Sequence, residues 1–207
     1  MIGLINKFLS KDENLSLFYP VFQRLKKNTE VEKIFKSISE FSEKSEVRYV
    51  GGCVRKIINQ EEVDDIDLAT NIEPKKVIEI LKKDNIEFHE IGVEHGTITA
   101  RINRQKFEIT TLREDISTDG RHAKVKFSDN WHQDASRRDF TFNSIYADLN
   151  GNLFDPFNGK KDLENGKVKF IGEADKRIKE DYLRVLRYVR FFLNYSKIKR
   201  NSEIKKT

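Results

Sequence analysis

The chain has 207 residues, 37% of them hydrophobic and 35% charged, with 39 lysines and arginines against 34 acids, a formal charge of +5 and a pI near 9.1. That length can bury one substantial core, the composition is that of a globular, highly charged protein, and the positive balance suits an anionic partner. One cysteine, Cys53, excludes an internal disulfide, has no second Cys or clustered His for zinc, and fits a reducing compartment; no apolar run reaches membrane-spanning length, so a cytoplasmic protein without a membrane partner is expected.

Residues 1–9 are too short and too interrupted by Asn6 and Lys7 for a signal peptide, and nothing in residues 1–28 points to a function. Val31, Ile34, Phe35, Ile38 and Phe41 recur at helical spacing, which predicts an amphipathic helix over about residues 30–43 whose stripe is core. Val47-Arg48-Tyr49-Val50 has strand character. The next pair, Gly51-Gly52, lets the backbone turn sharply and approach a ligand that a Cβ would hold off. Val54 to Ile58 then opens a helix whose free N–H groups favour an anion.

Asp65-Ile66-Asp67 follows, and on a strand its two acids share one face while Ile66 and Leu68 point into the core. Two converging carboxylates suit magnesium and a phosphate oxygen. Alone, a Gly-Gly pair is usually only a turn and Asp-x-Asp only a loop. The order of strand, Gly-Gly, helix with Arg55, loop and acid-bearing strand makes them together a candidate nucleoside triphosphate site.

Asn71-Ile72-Glu73-Pro74 opens a helix with proline in its first turn and Val77, Ile78 and Leu81 as its buried stripe. Ile98 to Arg101 and Lys106 to Leu112 read as paired strands around the turn Asn103-Arg104-Gln105. Glu108, between Phe107 and Ile109, faces away from both and either completes a trio of acids or stands as an ordinary solvent-facing Glu. In Arg137-Arg138-Asp139 the adjacent arginines point apart, so one can reach a phosphate while its neighbour pairs with Asp139 or another acid. Asp155-Pro156-Phe157-Asn158-Gly159, with Asp162, is a scaffolding turn. From Asp175 onward the pattern is helical, and residues 198–207 form a basic end expected to fray. On a helix through residues 180–190, Tyr182, Val185, Leu186 and Val189 gather on one anchoring side, while Asp181, Arg184, Arg187 and Arg190 wind round the other. That ribbon is either a salt-bridged surface or a set of hydrogen-bonding groups for a base edge and RNA backbone. Strands alternating with helices ahead of it indicate an α/β head.

Together these segments resemble the class II tRNA nucleotidyltransferases, which include CCA-adding enzymes and bacterial poly(A) polymerases. The resemblance spans residues 47–192 and includes GGCVR, DDIDLAT, HGTITA, FEITTLRED, TDGRHAKV, RRDFTFNS, DPFNGKKDL and EDYLRVLRYVRF in the family's order. It implies a polymerase-β-like head, a mixed sheet flanked by helices, followed by the first helices of an all-α neck. Residues 1–46 would then be a helical appendage, 47–174 the head and 175–207 the start of a truncated neck. Asp65 and Asp67 would hold Mg2+, with Glu108 a third acid; Gly51, Gly52, Arg55, Arg137 and Arg138 would contact the nucleotide. Asp181 and Arg184 would match the edge of CTP or ATP in place of a nucleic-acid template, Arg187 and Arg190 would complete the pocket, and residues 118–125 would be the family's mobile loop.

The implied reaction adds CMP and AMP to the tRNA 3′ end; a poly(A) polymerase with the same head, or a non-catalytic nucleotide- or RNA-binding remnant, are the alternatives. Two departures stand out. Lys56 replaces the Asp that usually follows GGxVR, and the helical neck, body and tail are mostly absent, so a separate C-terminal chain or a homo-oligomer is a candidate partner.

Overall fold

The computed structural model describes residues 17–90, 92–119 and 122–197. The segments 1–9 and 198–207 lie outside it, as do Gly120 and Arg121 of the 118–125 segment. Two helices lead in, α1 (Tyr19–Asn28), with a proline in its first turn, and α2 (Val31–Ser39). Phe22, Val31, Ile34, Phe35 and Ile38 from this pair are buried in the main core cluster of the chain. α2 stops short of the expected 43, and Phe41 is 44% exposed. The reason is local: Ser42 and Ser45 close a turn, through Ser45 N–H to the Ser42 carbonyl at 3.0 Å and between their hydroxyls at 2.7 Å, that swings the chain into the first strand.

Strands β1 (Val47–Val50), β2 (Ile66–Thr70), β3 (Glu87–His89), β4 (Thr97–Ile102) and β5 (Gln105–Thr111) are followed by a separate hairpin, β6 (Arg113–Asp119) and β7 (His122–Phe127). With β8 (Tyr146–Ala147) and β9 (Leu153–Phe154), the first five make a seven-stranded mixed sheet ordered β3-β4-β5-β2-β1-β8-β9. Only the central β2–β5 pair among these is parallel, and its register sets Asp67 directly opposite Glu108. The β4–β5 hairpin turns on Asn103-Arg104, with Asn103 at φ +56°, a left-handed conformation that asparagine tolerates well.

Alternation along β2 splits the interior between two faces. Ile66 and Leu68 join Phe107, Ile109 and the helices α3 (Gly52–Ile58) and α4 (Pro74–Lys83) in the large cluster, while Ala69 packs with Trp131, Ala135 and Tyr146 in a small one under α5 (Trp131–Ser136). In α4 the buried stripe is Val77, Ile80 and Leu81; Ile78, expected inside, is only half-buried. The Asp155 turn behaves as a scaffold: its carboxylate accepts from Gly159 N–H at 2.7 Å and Lys160 N–H at 2.9 Å and so caps α6 (Gly159–Glu164), while Asp162 accepts from the Thr141 hydroxyl at 2.8 Å.

The helical end departs most from expectation. It is two helices, α7 (Ala174–Glu180) and α8 (Leu183–Tyr195), because Asp181 is extended (φ −156°, ψ 107°) and its carboxylate accepts from Leu183 N–H at 2.9 Å. An aspartate that can cap a new helix competes with continuing the old one. The buried side of α8 also differs: Tyr182, Val185, Leu186 and Val189 are 72, 40, 68 and 47% exposed, whereas Phe191 is buried. Aromatic packing decides this orientation. Phe191 meets the rings of Phe140 and Phe142 edge-on at 5.3 and 5.2 Å, and Tyr188 stacks on Phe170 at 5.7 Å. No helix among the described residues is long and apolar enough to cross a membrane.

Candidate nucleotide site

The site begins where β1 ends. Gly51 holds φ +69° and ψ −121°, a conformation that an L side chain rarely adopts, and α3 starts at the next residue. A Cβ placed on Gly51 would lie 3.6 Å from Arg138 Nη1; one on Gly52 would lie 3.8 Å from Arg55 Nη2 and 4.0 Å from Asp67 Oδ2. The bend therefore brings together one acid and two arginines that the sequence separates by up to 83 positions, from Arg55 to Arg138.

Asp67 is half-buried near the start of β2, Asp65 is exposed just before the strand, and Glu108 is exposed in the row beside Asp67. Burial pushes the Asp67 carboxyl above its ordinary range, Glu108 and Asp65 push it the same way, and Arg138 and Arg55 only partly offset them. This is a local excess of negative charge that a cation would relieve. Among the described residues no three His, Cys, Asp or Glu close into a ready metal cage. The acids offer an open, all-oxygen pair, the form in which Mg2+ is commonly held with substrate phosphates and water completing its shell.

The arginine pair is organised by a residue that the sequence reading passed over. Asp134, on α5 and 1% exposed, accepts from Arg137 Nε at 2.9 Å, from Arg138 Nη2 at 3.2 Å and from the Tyr146 hydroxyl at 2.6 Å. Both arginines thus share Asp134: of the two alternatives the sequence leaves open, Asp139 or another acid, the partner is the other acid. Burial alone would raise the Asp134 carboxyl, but Arg138, Arg137 and the tyrosine outweigh it and hold it down at about 2. Asp139 instead accepts from Arg187 Nε at 2.6 Å and from Asn143 Nδ2 at 3.0 Å. Asn143 in turn accepts from Arg55, whose Nε reaches the Tyr195 hydroxyl at 3.2 Å and whose guanidinium lies 4.9 Å from the Phe191 ring. A hydrogen-bonded chain so links α8 to the Gly51-Gly52 bend.

α8 closes the other wall. Arg184 donates through Nη1 to Glu180 at 2.6 Å and to the Arg177 carbonyl at 2.7 Å, and its remaining N–H groups have no hydrogen-bond partner among the described residues. Asp181 commits one oxygen to its cap. Between these walls lies a cleft of about 610 Å³ lined by Gly51, Gly52, Arg55, Asp67, Arg137 and Arg138 on the head side and by Asp181, Arg184, Arg187 and Arg190 on the helical side. Arg113, Asp139, Asn143, Leu183 and Phe191 complete the lining. Seven arginines against three aspartates give it a strongly positive interior. Asp65 and Glu108 are not part of that lining; they sit beyond Asp67 on the exposed rim. Arg113 gave no pattern in the sequence: burial and the neighbouring Arg137 lower its pKa to about 10. Lys56, the departure noted above, donates to Asp64 at 2.7 Å on the surface, outside the cleft.

Comparison with known proteins matches the chain to one group. Residues 47–169 match the family described as the poly A polymerase head domain. Over 160 residues the chain is 49% identical to "CCA tRNA nucleotidyltransferase 1, mitochondrial" of Homo sapiens, using 76% of this chain and 37% of that one. It is 41% identical over 145 residues to a CCA-adding enzyme of Oceanobacillus iheyensis, with 69 and 35% of the two chains covered. Among solved structures, the Bacillus stearothermophilus CCA-adding enzyme in complex with CTP superposes with a TM-score of 0.71 at 31% identity, over 81% of this chain and 40% of that one. The chain thus spans little more than a third of the length of these curated relatives. With the glycine bend, the acid row and the arginine cleft all inside or bordering the matched residues, the chain belongs to the poly A polymerase head domain family.

Proposed function

We propose that the cleft binds CTP and ATP and that the chain transfers their nucleotidyl groups to a tRNA 3′ end, as the head of a CCA-adding enzyme. The supporting observation is the convergence on one bend of Gly51-Gly52, Arg55, Arg138 and Asp67, opposite the polar side of α8. In this reading residues 47–174 are the head, 1–46 its helical appendage and 175–207 the beginning of the neck.

The bare backbone at Gly51-Gly52 admits the triphosphate, and Arg55, Arg137 and Arg138 offset its charge. Asp181 Oδ2 and the free N–H groups of Arg184 present an acceptor beside donors to a base edge, with Arg187 and Arg190 framing it. Asp65 and Asp67 would hold Mg2+, which when bound supplies charge neutralisation at the reacting phosphate. Glu108, one strand away, takes the proton of the RNA 3′-hydroxyl. A bond forms between that oxygen and the α-phosphorus as the bond to pyrophosphate breaks, and positioning does most of the chemistry. A cytoplasmic setting belongs to the proposal; fractionation that found the protein only in an organelle, as the name of the human relative would suggest, would overturn that part.

The family description equally supports a poly(A) polymerase. Incubating the chain with tRNA lacking its 3′ CCA and with CTP, ATP or both separates the two. Incorporation of CMP establishes CCA addition, and AMP tailing without CMP establishes the rival. Tight CTP binding with no incorporation of either would mark a non-catalytic remnant.

A further inference from the structure

Outside the cleft, cations gather where the α1–α2 corner meets the β4–β5 turn. A groove of about 890 Å³ is lined there by Lys26, Lys27, Lys33, Lys36 and Arg104, with Glu30 and Glu32 as its acids. The acids are already engaged: Glu30 accepts from Asn103 Nδ2 at 3.0 Å, and Glu32 pairs with Lys26 at 2.7 Å. Lys27, Lys33 and Arg104 are exposed and have no side-chain partner among the described residues.

The groove is also held in shape. Glu30 N–H donates to Gln105 Oε1 at 2.8 Å, and Gln105 Nε2 donates to the Asn28 carbonyl at 3.4 Å, clasping the helical corner onto the turn. A solvated charge run needs no such clasp. The location matters as well, because Arg104, in the turn, precedes Glu108 by four residues, at most ~13 Å along the hairpin. Lys106, exposed and also without a side-chain partner among the described residues, lies between them in sequence and shares its face of β5 with Glu108.

We infer that this groove is a binding track for the phosphate backbone of the RNA whose 3′ end reaches Glu108 and Asp67. Unpaired, regularly exposed cations with no aromatic stacking surface read phosphates and not bases, so the track contributes affinity and register without sequence preference. The N-terminal helices, outside the residues matched by the family, thereby become part of RNA capture. The inference rests on the RNA-directed reading above.

The test replaces Lys27, Lys33 and Arg104 together by glutamine and measures binding of a tRNA transcript lacking its 3′ CCA by fluorescence anisotropy across a potassium chloride series, with CTP binding measured in parallel. The track predicts a salt slope of log Kd shallower by about two to three for three lost phosphate contacts, weaker binding at low salt, and unchanged CTP affinity. An unchanged slope and Kd would overturn it. So would RNA binding that is unaltered while binding to phosphatidylserine vesicles or to an acidic protein is lost. If the wild-type chain neither binds CTP nor extends RNA but the slope still changes, the nucleotidyltransferase reading fails and the track stands.

Discussion

Asp134→Asn probes the buried anchor of the arginine pair. The Asp134 carboxyl falls from 3.8 to about 2 in the fold, and at ~1.4 kcal/mol per unit this corresponds to about 2 kcal/mol of stability at neutral pH. The side chain is 1% exposed, so solvent screening does not reduce that figure. Its folded value lies below its unfolded one, so the contribution is complete above about pH 4 and is lost as pH falls toward 2. Asparagine also leaves Arg138, whose charged form Asp134 and Tyr146 favour, without its counter-ion, and breaking such a buried pair costs about 3–5 kcal/mol when nothing relaxes. Urea unfolding at pH 7 should show the variant weaker by about 2–4 kcal/mol, with the gap closing between pH 4 and pH 2 as wild-type Asp134 takes up its proton. CTP binding should weaken about tenfold or more, because Arg137 and Arg138 lose their fixed direction. A gap that is absent at pH 7, or that persists undiminished at pH 2, would refute the reasoning.

Asp67→Asn should do the opposite to the fold. An acid whose pKa is raised on folding destabilises as pH climbs above about 4, so removing its charge raises Tm at pH 7, and added Mg2+ should raise the wild-type Tm but not the variant's; a wild type indifferent to Mg2+ would count against the metal assignment. Gly51→Ala must carry a side chain at φ +69° and ψ −121°, which costs about 1–3 kcal/mol by thermal or urea unfolding; no loss would mean the bend relaxes freely. Burial first, then Asp67, pushes the Cys53 thiol up to about 12, so a thiol reagent at pH 8 should label it only after unfolding, and rapid native labelling would contradict the packing.

Much of this architecture was legible because it rests on local chemistry. The strand-glycine-helix sequence of residues 47–58, the strand that carries Asp67 just after Asp65, and the β4–β5 hairpin follow from periodicity and turn residues. The helical end was misread for a tertiary reason. Helical spacing put Tyr182, Val185, Leu186 and Val189 inside, but the rings of Phe140, Phe142 and Phe170, over 40 residues away for two of them, claim Tyr188 and Phe191 instead. Asp134 was invisible for a similar reason. In sequence it is one acid on a short helix, and only the fold sets Tyr146 and two arginines around it. The Arg187–Asp139–Asn143–Arg55 chain spans 132 positions, beyond any short motif.

Nucleotide incorporation into tRNA lacking its 3′ CCA, compared between wild type, Asp65→Ala and Asp67→Ala with Mg2+, CTP and ATP present, tests the central claim most directly. The account predicts that the wild type adds CMP and then AMP, and that each variant keeps its fold and its RNA binding while incorporation falls by at least about a hundredfold. Turnover unchanged in either variant would contradict it.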